Sequence, residues 1–307
     1  MPHRTGLDQR SSTAGLGRLA RPGGAFAMLA IDQRESLRTL LVGAGHGGTD
    51  ADLASFKVEV VRQLSSAASG VLVDRDYGLA AIVDADAVAP TCGLIVAVDR
   101  LVQAPGGPLE WSELDRPAIT EALVEAGAVA LKFLVVWRPD DPVEPREILV
   151  RDFIDGCRRL GLPAVLEGLV QIPGVTDGPP FDAAILGAAR EFSAFEPDLY
   201  KTHVPTLGAG SPDEITERSA AVSEAIGRPW VVLSAGVPVD RFAPAVAAAG
   251  RGGASGFLAG RGVWGPAIRT TDPAAALAED GRARLEALVA IAETTARPWW
   301  DVEPASR

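Results

Sequence analysis

Only three lysines stand among the 307 residues, beside 26 arginines, and two of them, Lys132 and Lys201, sit at the ends of apolar, strand-like runs. Arginine stays charged at any usable pH. A lysine among apolar neighbours can instead lose its proton and attack a carbonyl as a Schiff-base nucleophile. Glu167 stands in a third such run. A buried lysine or glutamate costs several kcal/mol unless it is paired or neutralised, so Lys132, Glu167 and Lys201 would meet that cost through one another. Two ammonium groups close together lower the pKa of one from its reference near 10.4. The carboxylate would then carry protons as a carbinolamine loses water and an aldol bond forms or breaks. A buried Lys–Glu salt bridge without a catalytic role is the structural alternative.

Eight short apolar runs recur along the chain: 26–31, 70–74, 94–98, 128–136, 164–170, 198–201, 230–234 and 254–260. Between them lie helix-like stretches, including 51–67, 115–126, 147–160, 182–194, 212–226 and 240–250, with a last helix at about 276–295. This alternation is the mark of βα units around a parallel sheet whose strands are buried on both faces. Eight repeats predict an α/β fold of one single (β/α)8 TIM barrel. The expected division is an N-terminal segment packing on the barrel (1–24), the barrel itself (25–297) and a C-terminal tail (298–307), with Trp299-Trp300 as a packing plug or oligomer contact. Side chains two apart on a strand share a face, which points Lys132 inward with Ala130 and Leu134 rather than with Val129 and Phe133.

Chemistry in such barrels belongs at the C-terminal strand ends. The polar groups closing the runs are Asp32-Gln33-Arg34, Asp74, Asp99, Lys132, Glu167, Lys201, Ser234-Ala235-Gly236 and Gly260-Arg261. Loops after the seventh and eighth strands can hold an anion through backbone N–H groups and a cation, a role that Ser234, Gly236, Gly260 and Arg261 fit. Asp32, Gln33, Arg34 and Glu35 contact substrate or cap the first helix. Asp74, Arg75 and Asp76 occupy a similar place after the second strand.

Hydrophobic content of 47%, charged content of 22% and a net charge of -11 allow a large core and argue against nucleic acid or an anionic membrane as partner. The N-terminal segment lacks an apolar signal region and no stretch reaches a membrane span, so a cytoplasmic protein is expected. Cys92 and Cys157 read as buried free thiols, and no metal site is expected. His46 and His3 receive no role.

The strings GGAFAMLAIDQRESL (23–37), ALKFLVVWRPDD (130–141), DLYK (198–201), WVVLSAGV (230–237) and GASGFLAGRGVWG (253–265) resemble the class I aldolase family that contains tagatose 1,6-bisphosphate aldolase and sulfofructosephosphate aldolase. The likeness runs over roughly 20–295 and is nearer to the second branch. It implies a metal-independent lyase without cofactor that cleaves a ketose 1-phosphate, such as 6-deoxy-6-sulfofructose 1-phosphate, to dihydroxyacetone phosphate and an aldehyde such as sulfolactaldehyde. Lys201 matches the Schiff-base lysine, Lys132 the neighbour that keeps it deprotonated, and Glu167 the acid/base. Asp32 and Gln33 match the pair on substrate hydroxyls; Ser234, Gly236 and Arg261 match the holders of an anionic end. Phosphorylated or sulfonated sugars are the implied partners, in a homo-oligomer. A tagatose or fructose 1,6-bisphosphate aldolase, another Schiff-base lyase on a sugar phosphate, and a non-catalytic sugar-phosphate-binding barrel are the alternatives. The chain departs from the pattern where Lys201-Thr202-His203 replaces Lys-Val-Glu, and where Gly168 and Gln171 replace a proline and a basic residue. His203 shares the face of Lys201 if the strand continues, as a proton relay or a packing residue.

Overall fold

The computed structural model describes residues 15–103 and 109–302. His3 and the outer parts of both terminal segments lie outside them. The eight apolar runs all form strands: β1 (Phe26–Ile31), β2 (Gly70–Val73), β3 (Gly93–Ala97), β6 (Ala128–Trp137), β7 (Ala164–Val170), β8 (Leu199–His203), β9 (Trp230–Leu233) and β10 (Gly256–Ala259). They close into one parallel barrel, in the order β1-β2-β3-β6-β7-β8-β9-β10 and back to β1. The expected (β/α)8 architecture is present, with helices such as Asp50–Leu64, Val143–Leu160 and Pro212–Ile226 outside it.

Two strands were not foreseen. β4 (Asp99–Gln103) and β5 (Leu109–Leu114) form an antiparallel hairpin between β3 and β6. Their short polar alternation buries only Asp99, Ser112 and Leu114, too little to stand out as an apolar run. The expected helix over 115–126 is correspondingly short. A turn at Arg116–Ala118 precedes a helix at Glu121–Glu125, because Pro117 cannot donate to a helical ladder. The last helix is also broken, with a π-turn at Leu277–Gly281 ahead of Arg282–Thr295.

Side-chain alternation sorts the barrel interior. Met28, Leu72, Ile95, Ala130, Val165, Leu199, Val231 and Leu258 fill it as one apolar cluster. Leu16 and Leu19 close its floor, and a methyl group on Gly93 would come within 2.7 Å of Leu19. Ala130, Lys132 and Leu134 share the inward face as expected, while Phe133 packs outward on Phe153. Val129 corrects the expectation: it joins the interior cluster because the β3–β6 register shifts beside Leu94. Trp299 donates its backbone N–H to Gly24 and packs against the same cluster, whereas Trp300 is 53% exposed. Cys92 and Cys157 are buried free thiols, and burial pushes Cys92 up to about 12. No helix among the described residues is long and apolar enough to cross a membrane.

Candidate active site

A layer of charge crowns the apolar interior at the C-terminal ends of the strands. Lys132 is fully buried, and its Nζ lies 2.9 Å from Asp32, 3.0 Å from Asp99 and 2.8 Å from Glu167. Lys201 Nζ lies 3.0 Å from the same Glu167 oxygen. Register explains the meeting, since Glu167 pairs directly with Lys201 across β7 and β8. Burial alone would lower the Lys132 pKa, but the three carboxylates raise it well above the ordinary lysine range. Burial likewise opposes ionisation of Asp32, and Lys132 and Lys201 overcome it to hold the carboxyl well below the usual range. Lys132 is therefore a locked cation beside the second lysine.

Asp99, which the sequence marked only as the end of the third strand, ties this layer together. One oxygen accepts from Lys132 and from Leu134 N; the other accepts from Arg34, which also donates to the Asp99 carbonyl. Arg34 also pairs with Asp76 at 3.0 Å and lines a cleft of about 310 Å³ that adjoins the main cavity at Leu101 and Gln103. The side chains of Asp32, Gln33 and Arg34 do not cap the helix at Glu35–Gly43.

Lys57, the third lysine, lies within a helical stretch, where the sequence carries no mark of its partners. It is fully buried, forms an ion pair with Asp74, and donates to the carbonyls of Ile31 at 2.8 Å and Gln33 at 2.6 Å. A capping box of Thr49 and Asp52 starts its helix. The end of β1, and with it Asp32 and Gln33, is thus pinned from outside the barrel.

Above the charged layer opens a cavity of about 480 Å³, within the range of small-molecule sites. Asp32, Gln33, Glu167 and Lys201 line its depth, and Ser234, Ala235, Gly260 and Arg261 line one side. Gln33 Oε1 has no hydrogen-bond partner. A methyl group on Gly260 would come within 2.6 Å of the Ala30 carbonyl, so the close approach of β10 to β1 needs glycine. Gly236 stands outside the lining with φ +81, packed on Leu207. Leu207 and Thr206 themselves have positive φ, 47° and 57°, in the turn that follows β8, a strained arrangement of the kind found near functional sites.

His203 is 5% exposed and does not line the cavity. Its ring stands edge-on to Phe181 at 5.2 Å; neither nitrogen has a partner of normal geometry, although the Ala235 backbone acts on it. Burial lowers its pKa to about 4, so the imidazole is neutral near pH 7. The departure at Gly168 has a steric reason: any Cβ there would collide with the Tyr200 hydroxyl. His46 Nε2 lies 2.8 Å from the Ile268 carbonyl, in a structural tie. The hairpin residues Leu101, Gln103 and Leu109, and Ser36 and Thr39 from the first helix, also line the cavity; no signal in the sequence marks them.

The profile of the DeoC/LacD family aldolases matches residues 26–265. Among curated relatives, a tagatose 1,6-diphosphate aldolase of Listeria monocytogenes is 29% identical over 93% of each chain. Tagatose 1,6-diphosphate aldolase 2 of Enterococcus faecalis is 28% identical over 93% of this chain and 95% of its own. Among solved structures, a fructose-bisphosphate aldolase from Plasmodium falciparum superposes with a TM-score of 0.72 at 14% identity, covering 96% of this chain and 98% of its own. One from Slackia heliotrinireducens gives 0.64 at 20% identity over 93% and 92%. With a family profile spanning the whole barrel from β1 to the helix after β10, this chain belongs to the DeoC/LacD family aldolases and is a lyase of the class I aldolase type.

Proposed function

We propose that the enzyme reversibly cleaves a ketose 1-phosphate into dihydroxyacetone phosphate and an aldehyde, with Lys201 as the Schiff-base nucleophile. The observation that carries this reading is the sharing of Glu167 by Lys201 and a permanently charged Lys132 beneath a cavity bordered by Arg261. Lys201 passes a proton to Glu167 across their 3.0 Å contact and, as the neutral amine, attacks the C2 ketone to give a carbinolamine. Glu167 donates a proton to the departing hydroxyl, water leaves, and the protonated imine forms. The resulting carboxylate takes the proton of the C4 hydroxyl, the C3–C4 electron pair moves into the imine, and the aldehyde departs. The enamine is reprotonated at C3 and water releases dihydroxyacetone phosphate from Lys201. Asp32, kept ionised by its neighbours, and Gln33 accept hydrogen bonds from substrate hydroxyls. Ser234, the backbone at Ala235 and Gly260, and Arg261 hold the phosphate; Arg34, outside the cavity lining, supports the charged layer through Asp99.

Two specific substrates head the assay panel. The motif strings bring in 6-deoxy-6-sulfofructose 1-phosphate, and the names of the curated relatives bring in tagatose 1,6-bisphosphate; both end in an anion and are compared with a ketose 1-phosphate whose far end is neutral. The mechanism is tested by intact-mass spectrometry and peptide mapping after borohydride reduction with dihydroxyacetone phosphate. One adduct on Lys201 is expected. Lys201→Arg should retain the fold by circular dichroism, lose the adduct, and lower kcat on the order of 10³-fold or more. Appreciable residual cleavage by that variant would sink the imine mechanism, and absence of any adduct in the native enzyme would favour a barrel that only binds sugar phosphates.

A further inference from the structure

We infer that the aldehyde half of the substrate is uncharged at its far end, and that Gln171 sets this preference. The inference rests on the aldolase reading above and names its substrate class. Among the described residues, the ionisable side chains lining the cavity are Asp32, Glu167, Lys201 and Arg261. The first three meet the reacting carbons from below, which leaves Arg261 as the cation for one anionic group. In the closed barrel Arg261 follows β10, and the strand four places away is β6. A ketose with its phosphate on Arg261 and its C2 over Lys201, on β8, therefore extends toward the ends of β6 and β7 and the β4–β5 hairpin.

That wall is made of Leu101, Leu109, Leu134 and Leu169 with two neutral amides, Gln103 and Gln171. Gln171 is held firmly. Its Oε1 accepts from Arg138 Nη2 at 2.6 Å, and its Nε2 donates to the Leu109 carbonyl at 2.9 Å. One N–H of the amide is left for a ligand, a neutral donor suited to a hydroxyl. Arg138 is committed behind it, to the Glu110 carbonyl at 2.6 Å and Asp141 at 3.4 Å, and does not line the cavity. Arg34 and Arg100 line the adjoining cleft, which shares Leu101 and Gln103 with this wall, and not the cavity itself, so a phosphate or sulfonate set against the leucines and amides would lose hydration without a cation in contact.

The test is aldol synthesis with dihydroxyacetone phosphate as the fixed donor and three acceptors: glyceraldehyde, glyceraldehyde 3-phosphate and sulfolactaldehyde. The expected kcat/KM for glyceraldehyde exceeds that for either anionic acceptor by about tenfold or more, the scale on which a pocket separates such analogues. Gln171→Arg should raise the value for the anionic acceptors relative to glyceraldehyde by about the same factor. The ratio measured on the native enzyme decides the matter even if this variant fails to fold. Equal or faster use of either anionic aldehyde, or no use of glyceraldehyde at all, overturns the inference. Borohydride trapping of the donor on Lys201 separates the two levels: an adduct with an anionic preference removes only this inference, while absence of an adduct removes the aldolase reading and this inference with it.

Discussion

Lys132 shows how one side chain organises a site. Its ammonium group is the shared partner of Asp32, Asp99 and Glu167, and all four are largely withdrawn from water. Replacing it with methionine keeps the length but leaves three carboxylates facing one another, so Lys132→Met should destabilise the fold by about 3–5 kcal/mol. Urea denaturation at pH 7 measures this, and a loss below 1 kcal/mol would mean that the carboxylates are not held by this cation. His203 makes a second prediction, in pH. Its pKa of about 4 in the fold lies below the unfolded value near 6.5, so the unfolded chain binds more protons between the two. The stability it contributes is complete above pH 6.5 and is lost as the pH falls toward 4. Between pH 7 and pH 5 the native enzyme should lose about 2 kcal/mol more than His203→Gln; parallel curves for the two proteins would refute it.

Secondary-structure elements carry the site's precision. The helix at Asp50–Leu64 contributes nothing to the cavity lining, yet through Lys57 it grips the carbonyls of Ile31 and Gln33 and so orients the end of β1. The β4–β5 hairpin starts with Asp99, which holds Lys132, and continues through Leu101 and Gln103 into the cavity wall. One insertion therefore both supports the charged layer and shapes the substrate end. The β7–β8 pair has its own constraint, because Gly168 leaves room for Tyr200 directly behind Glu167 and Lys201. Gly168→Ala should cost about 1–3 kcal/mol by overpacking. Tyr200→Phe removes the hydroxyl that the new methyl meets, so the double variant should recover part of the loss in thermal melts. No recovery would place the clash elsewhere.

For the whole molecule, the division of the barrel into an apolar floor and a charged top separates stability from chemistry. Leu19 is fully buried in the floor among the inward side chains of the strands. Leu19→Ala should lower stability by about 2–5 kcal/mol while leaving the borohydride adduct on Lys201 intact. Calorimetry and trapping on the same sample check both halves, and loss of the adduct in a folded variant would show that floor and top are coupled.

Much of this was legible in the chain. Eight apolar runs specified eight strands because strands buried on both faces must be continuously hydrophobic. The rarity of lysine singled out Lys132 and Lys201, strand alternation pointed Lys132 inward with Ala130 and Leu134, and the cost of an unpaired buried charge drew Glu167 and Lys201 to it. Other features needed the closed barrel. Asp99 looked like any strand-ending acid, since only the barrel brings β3 beside β6 and lays its carboxylate between Arg34 and Lys132. Lys57 read as one polar position in a helix, because its partners Asp74, Ile31 and Gln33 are remote in sequence. The same spacing that set His203 on the face of Lys201 could not reveal that its ring packs on Phe181, outside the cavity lining. Periodicity along a chain dictates which way a side chain leaves its own strand, but what it meets there is decided by the strands and helices that closure brings alongside.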